Sequence, residues 1–144
     1  MIDIYSDIFN GLQSKLTEFE NSSEGETLLD DRAIRFIRSF INSSSKFPCI
    51  TIEEKNNISH NNELDNVESH SLIIYEFNIY DNSIKKMEVC SKLAMVVNSY
   101  MSEKLGFERT QNEPIANVAD ATIYRVFQRY DGIIDNQTLR ITRN

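Results

Sequence analysis

Ser71-Leu-Ile-Ile-Tyr-Glu-Phe-Asn-Ile-Tyr80 decides the fold class. Ile73, Tyr75, Phe77 and Ile79 recur at every second position, the period at which strand side chains alternate between faces. Residues 71–80 therefore read as a strand with one strongly apolar face, ended by Asp81-Asn-Ser. Upstream, Cys49-Ile-Thr-Ile-Glu is β-branched and alternating, a second strand, and Phe47-Pro48 forces an extended backbone at Phe47 on the way in. Residues 55–70, between the two strands, are polar and aperiodic and are expected to form a long projecting loop. Downstream, 121–131 alternates again, with Tyr124, Val126, Gln128 and Tyr130 opposing Ile123, Arg125, Phe127 and Arg129. A short strand is expected from Phe107 to Gln111, an ordered loop over 112–120 and a last strand at Leu139-Arg-Ile-Thr-Arg.

Two segments carry the helical period instead. In residues 3–19, Tyr5, Ile8, Leu12, Leu16 and Phe19 fall on one face, with Asp3 as the expected N-cap and Gly11 as a weak point. In residues 84–105, Cys90, Leu93, Ala94, Val97, Tyr100 (or Met101) and Leu105 form a stripe, and Gly106 suits the left-handed position that ends a helix. Asn21-Ser-Ser-Glu-Gly-Glu reads as a polar break and Asn42-Ser-Ser-Ser-Lys as a turn. Between them, Leu29, Ala33, Phe36 (or Ile37) and Phe40 fit a helix over 27–42 with Thr27 as its cap, while Ile34, Phe36 and Phe40 also fit a strand; the helix is the preferred reading.

The order helix, strand, strand, helix, strand, strand predicts an α+β fold: a single domain over 1–144 with a mixed or antiparallel sheet and two main helices on one face. One domain suits 144 residues, of which 40% are hydrophobic and 26% charged. No apolar run reaches the roughly 18 residues of a membrane span, and the acids in Met1-Ile-Asp-Ile-Tyr-Ser-Asp argue against a secretion signal. Fifteen Lys and Arg against twenty-two Asp and Glu give a net charge of −7, which argues against phosphate-tracking as the main role. Arg125 and Arg129 share a face of 121–131 with Ile123 and Phe127, so both faces of that strand mix polar and apolar residues, as at a subunit interface.

Catalytic constellations are scarce. His60 and His70 both fall in the polar 55–70 segment, with nothing apolar to orient a base beside a nucleophile. The adjacent carboxylates Glu53-Glu54 and Asp30-Asp31 would point to opposite sides of a strand. A cation site from Asp120, Asp131 and Asp135 has no supporting motif. Cys49 and Cys90 sit in apolar surroundings and read as buried thiols; with His60 and His70 they lack zinc-ligand spacing. Four glycines, none in a G-x-G pattern, exclude a phosphate-cradling loop. The expectation is a non-enzyme with no cofactor and no metal.

A family resemblance supplies the role. Phe47-Pro-Cys-Ile-Thr-Ile-Glu-Glu-Lys, Tyr75-Glu-Phe-Asn-Ile-Tyr-Asp-Asn, Lys86-Met-Glu-Val-Cys-Ser-Lys-Leu-Ala, Leu105-Gly-Phe-Glu-Arg-Thr and Pro114-Ile-Ala-Asn-Val-Ala-Asp-Ala-Thr-Ile-Tyr-Arg occur in that order. Together with the opening helix, the set resembles the small tail terminator (tail completion) proteins of tailed phages and prophages of low-GC Gram-positive bacteria. Residues 20–46 depart from the family pattern, which has there a shorter, strand-bearing segment leading into the Phe-Pro pair. The resemblance implies a virion subunit, assembled in the bacterial cytoplasm, that forms a homohexameric ring on the head-proximal end of the tail tube. Its partners would be itself, the tail tube protein and the head–tail connector, with DNA passing through unbound; a neck adaptor or head-completion protein is the alternative. The candidate interface residues are Glu53, Glu54, Pro114, Asn117, Asp120, Arg125 and Arg129, the arginines facing acids of a neighbour.

Overall fold

The computed structural model describes residues 4–38, 46–60, 70–116, 120–135 and 141–142. The expected Asp3 cap, the 42–45 turn, the strand residues Leu139 and Arg140, and Asn117 lie outside them.

The fold is α+β. In chain order the elements are α1 (Tyr5–Glu20), α2 (Ser23–Leu29), β1 (Arg35–Ile37), β2 (Cys49–His60), β3 (His70–Asp81), α3 (Lys86–Asn98), β4 (Glu108–Pro114), β5 (Tyr124–Asp135) and β6 (Ile141–Thr142). The strands form one sheet in the order β1-β2-β3-β5-β4, with β6 pairing β5 beyond the end of β4. Among the described residues, only β1 runs parallel to its neighbour; every other pairing is antiparallel.

Register decides which side chains share a face. Ile50, Ile79 and Val126 lie abreast across β2, β3 and β5, as do Ile52, Phe77 and Gln128, then Glu54, Tyr75 and Tyr130. This face is roofed by the helices: Ile8, Leu12 and Leu16 of α1, Leu28 and Leu29 of α2, and Val89, Leu93 and Val97 of α3 join the same buried cluster. Edge-to-face contacts of Phe77 with Tyr130 and of Tyr75 with Phe107, both with centroids 5.7 Å apart, fill its centre. Full burial of each such side chain contributes about 1.5–3 kcal/mol, which is why β3 and β5, at the centre of the sheet, carry regular apolar alternation.

Several expectations need correction. Residues 27–42 are not one helix. Ser22 accepts a bond from the Gly25 amide and caps α2 inside the stretch read as a break, and Thr27 sits within that helix. Asp30 and Asp31 both take left-handed backbone (φ 53° and 65°), which stops the helix and also removes them from any strand. The chain then turns so that Phe36 stacks on Phe9 of α1, with β1 alongside β2. The alternative strand reading fits Phe36, which lies in β1, while Ile34 precedes the strand. The 55–70 loop is shorter than expected: β2 continues to His60 and β3 starts at His70, with an irregularity between Glu54 and Asn56. Asparagines there pair through the backbone, a contribution that apolar periodicity cannot register. The two histidines are thus the last partners of a ladder, and residues 61–69 lie outside the described set.

Other boundaries move less. α1 starts at Tyr5 with Ile4 at its N-cap. α3 starts at Lys86, ends at Asn98 and passes into a π-helical turn, Ser99–Lys104. Gly106 adopts φ 91°, as its place after that turn requires. β4 runs on to Pro114, and β5 absorbs Asp131-Gly132, which reads as a break in sequence.

Gly11 reverses its sequence reading. A Cβ there would fall 1.9 Å from the Tyr100 hydroxyl oxygen and 2.7 Å from its ring. The glycine is where α1 meets the π-helical turn. Gly11→Ala should therefore lower stability by about 1–3 kcal/mol through overpacking, against the gain of about 1 kcal/mol that helix propensity predicts. Thermal unfolding of the variant decides; a raised midpoint would mean that Tyr100 moves aside freely.

Candidate functional site

The sheet's second face carries three of the seven sequence-predicted interface residues, Glu53, Arg125 and Arg129. Reading across the strands, Arg35, Cys49, Tyr80 and Arg125 form one row; Ile37, Thr51, Asn78, Phe127 and Glu113 the next; Glu53, Glu76, Arg129 and Gln111 a third. Among the described residues, the helices of the core cluster lie on the opposite side by register. The face is nevertheless ordered by its own polar contacts. Arg125 Nε donates to Asn78 Oδ1 at 2.8 Å, and its guanidinium lies 5.8 Å from the Tyr80 ring centre. Lys55 reaches Glu53 at 3.0 Å and Glu76 at 3.9 Å, and Arg129 reaches Asp131 at 3.2 Å. Tyr80 is nearly buried, which raises its phenol pKa, and the neighbouring Arg125 charge opposes that rise.

The seven candidate residues separate in space. Glu53, Arg125 and Arg129 share the second face. Glu54 points the other way, in the row of Tyr75, whose hydroxyl donates to Glu54 Oε1 at 3.0 Å. Pro114 ends β4 opposite Val126. Asp120 accepts from the Thr122 hydroxyl (2.6 Å) and amide (2.9 Å), bonds that hold its carboxyl below the usual range in an exposed turn ahead of β5. Arg129 and Glu53 already have partners within the chain, so an arginine–acid pairing between copies would compete with these contacts.

The chemistry-bearing residues stay apart. Cys49 lies on the second face of the sheet, whereas Cys90 sits under α3 with its thiol against the Ile79 and Tyr124 carbonyls. Among the described residues, no three His, Cys, Asp or Glu gather where they could hold a metal ion, and no helix is long and apolar enough to cross a membrane. A groove of about 480 Å³ between α1 and α3 is lined in part by Lys15, Phe19, Lys92, Met95 and Tyr100. Lys15 pairs with Glu18 (3.6 Å) and Lys92 with Glu24 (3.0 Å), so much of its rim charge is internally balanced.

Two surfaces escape the sequence reading. One is the outer edge of β4, which from Arg109 to Pro114 is exposed and on that side meets no strand among the described residues. Beside it, Met87 and Met95 are 63% and 61% exposed and, with Pro114, Tyr124 and Val126, line a groove of about 220 Å³. The signal was present: both methionines fall off the buried stripe of α3. The other is the basic edge at β1, where Arg35 and Arg38 are exposed. Reading 27–42 as a helix hides that edge.

Neither a scan against protein-family models nor a search of curated proteins gives a match to this chain.

Proposed function

We propose that this chain is a non-enzymatic virion subunit of a tailed phage, a tail terminator. Copies form a ring on the head-proximal end of the tail tube, stop its polymerisation and present the surface on which the head connector docks. The observation that carries this reading is the placement of the family-like segments. The stretches beginning at Phe47, Tyr75, Lys86, Leu105 and Pro114 supply the beginning of β2, the second half of β3, most of α3, and β4 with the approach to β5. These elements are neighbours in one body.

A half-polar second face also suits such a role. A ring subunit must offer one surface to a copy's different surface and others to the tube and the connector. The net charge of −7 suits a ring through which DNA passes without being held, because phosphate neutralisation is what retains DNA.

Disrupting the gene in the phage or prophage that carries it tests the proposal. Overlong, headless tails in negative-stain micrographs are the expected result. Normal tails beside filled, tailless heads would identify a neck adaptor instead. Unaltered particles, with the chain absent from virions by mass spectrometry, would overturn both readings.

A further inference from the structure

The two ends of the sheet differ in a way that selects a partner. At one end, Arg32-Ala-Ile-Arg-Phe-Ile-Arg38 places three arginines and no acid in seven residues of a chain whose net charge is −7. Arg32 is engaged with Asp81 and the Arg38 guanidinium lies 4.9 and 4.7 Å from the ring centres of Tyr5 and Phe9, whereas Arg35 is exposed on β1. At the other end, β4 presents Glu108, Arg109 and Glu113 along a strand that pairs only with β5 among the described residues. An exposed strand edge is a template for another strand, and charges along it restrict which strand can add.

The surroundings of β4 are prepared for burial. Met87 and Met95 stand two helical turns apart on α3 and flank the groove beside the strand. Methionine adapts its shape to whatever covers it. The buried Gln128 amide donates to Ala94 O and Asn112 Oδ1, two residues of that groove, at 3.1 Å each. Its Oε1 has no partner among the described residues, leaving one acceptor unused beneath this surface.

We propose that a second copy of this chain occupies the β4 edge and its methionine groove, bringing its β1 edge, so that Arg35 of one copy meets Glu113 of the next. The direction, one edge against a different edge, rests on the ring-subunit reading. Charge complementarity favours this pairing over β4 against β4, which would set like charges together. It also keeps the geometry consistent. Arg35 and Glu113 both belong to the second face by register, so a sheet continued from copy to copy carries that face on one side throughout.

Cysteine cross-linking tests it directly, because the native thiols Cys49 and Cys90 are buried and their raised pKa values keep them unreactive near neutral pH. Arg35→Cys and Glu113→Cys in one chain should give a ladder of covalent multimers on mild oxidation, in concentrated purified protein or in virions. Roughly tenfold less should form in either single variant, since a disulfide needs Cα atoms within about 7 Å. As a second measurement, Glu113→Arg should weaken self-association by roughly tenfold, and adding Arg35→Glu in the same chain should restore it. Multimers that assemble without a ladder would overturn this pairing and leave the ring reading standing. A ladder to a different protein would also overturn it. A chain that never self-associates and is absent from virions would overturn both.

Discussion

Replacing Arg32 with methionine should lower the free energy of unfolding by about 3–5 kcal/mol, the cost of leaving a buried carboxylate without its cation. Asp81 is fully buried at the end of β3, with Arg32 Nη1 at 2.6 Å from its Oδ1 and the Ser83 hydroxyl at 2.6 Å from its Oδ2. The guanidinium does more than balance charge. Its Nε donates to Leu29 O at 3.0 Å and its Nη1 to Phe47 O at 3.4 Å. One side chain thus ties the end of α2, the entry to β2 and the exit of β3. Urea unfolding of Arg32→Met, Asp81→Asn and the double variant checks this. The double variant should cost less than the sum of the singles by about 2 kcal/mol, because the amide that replaces the carboxylate is neutral and still able to bond Ser83. A loss below about 1 kcal/mol in Arg32→Met would mean that the pair is solvated in practice.

That pair also shows where sequence reading reaches its limit. Alternation in 71–80 and 121–131 correctly places β3 and β5, because each strand buries one face against helices and the burial writes its period into the residues. The stripes of α1 and α3 are legible for the same reason. Residues 27–42 defeat this logic. Phe36 is buried by stacking on Phe9, Ile34 is held by its amide donating to Glu20 Oε1 at 2.6 Å, and Arg32 is spent on Asp81. Each contact is set by a residue 14 to 49 positions away, and none recurs with a local period.

The candidate surface divides along the same line. Register puts Glu53 and Arg129 in one row with Glu76 between them, and alternation already separates Glu53 from Glu54. What alternation cannot supply is strand order. Without knowing that β4 and β1 end the sheet, Glu113 and Arg35 are two charges among thirty-seven. The exposed methionines of α3 gain meaning only once β4 is seen beside them.

Raising the pH above 9 should unfold this protein progressively, and its two thiols should account for much of the effect. Burial pushes Cys49 up to about 11 against the opposing charge of Arg35, and pushes Cys90 up to about 12 with Asp81 adding to the rise. In the unfolded chain both titrate near 9. Below pH 9 the thiols are protonated in both states and the pH has no purchase on them. Between 9 and about 11 for Cys49, and between 9 and about 12 for Cys90, the unfolded state has released protons that the folded state still holds. Stability is therefore complete below the unfolded value and is lost as pH rises toward the folded one, at a limiting slope of about 1.4 kcal/mol per pH unit for each thiol. Tyr130, whose phenol is raised by burial beside Phe77, extends the loss beyond pH 10. Urea unfolding at pH 7, 9 and 10 should show a fall of about 2 kcal/mol over the last unit. The same series in Cys49→Ala/Cys90→Ala should start lower at pH 7, for lost packing, and fall clearly less by pH 10, the remainder coming from buried phenols such as Tyr80 and Tyr130. An equal slope in both proteins would show that the thiolates form without unfolding, and would place Cys49 and Cys90 closer to solvent than their packing indicates.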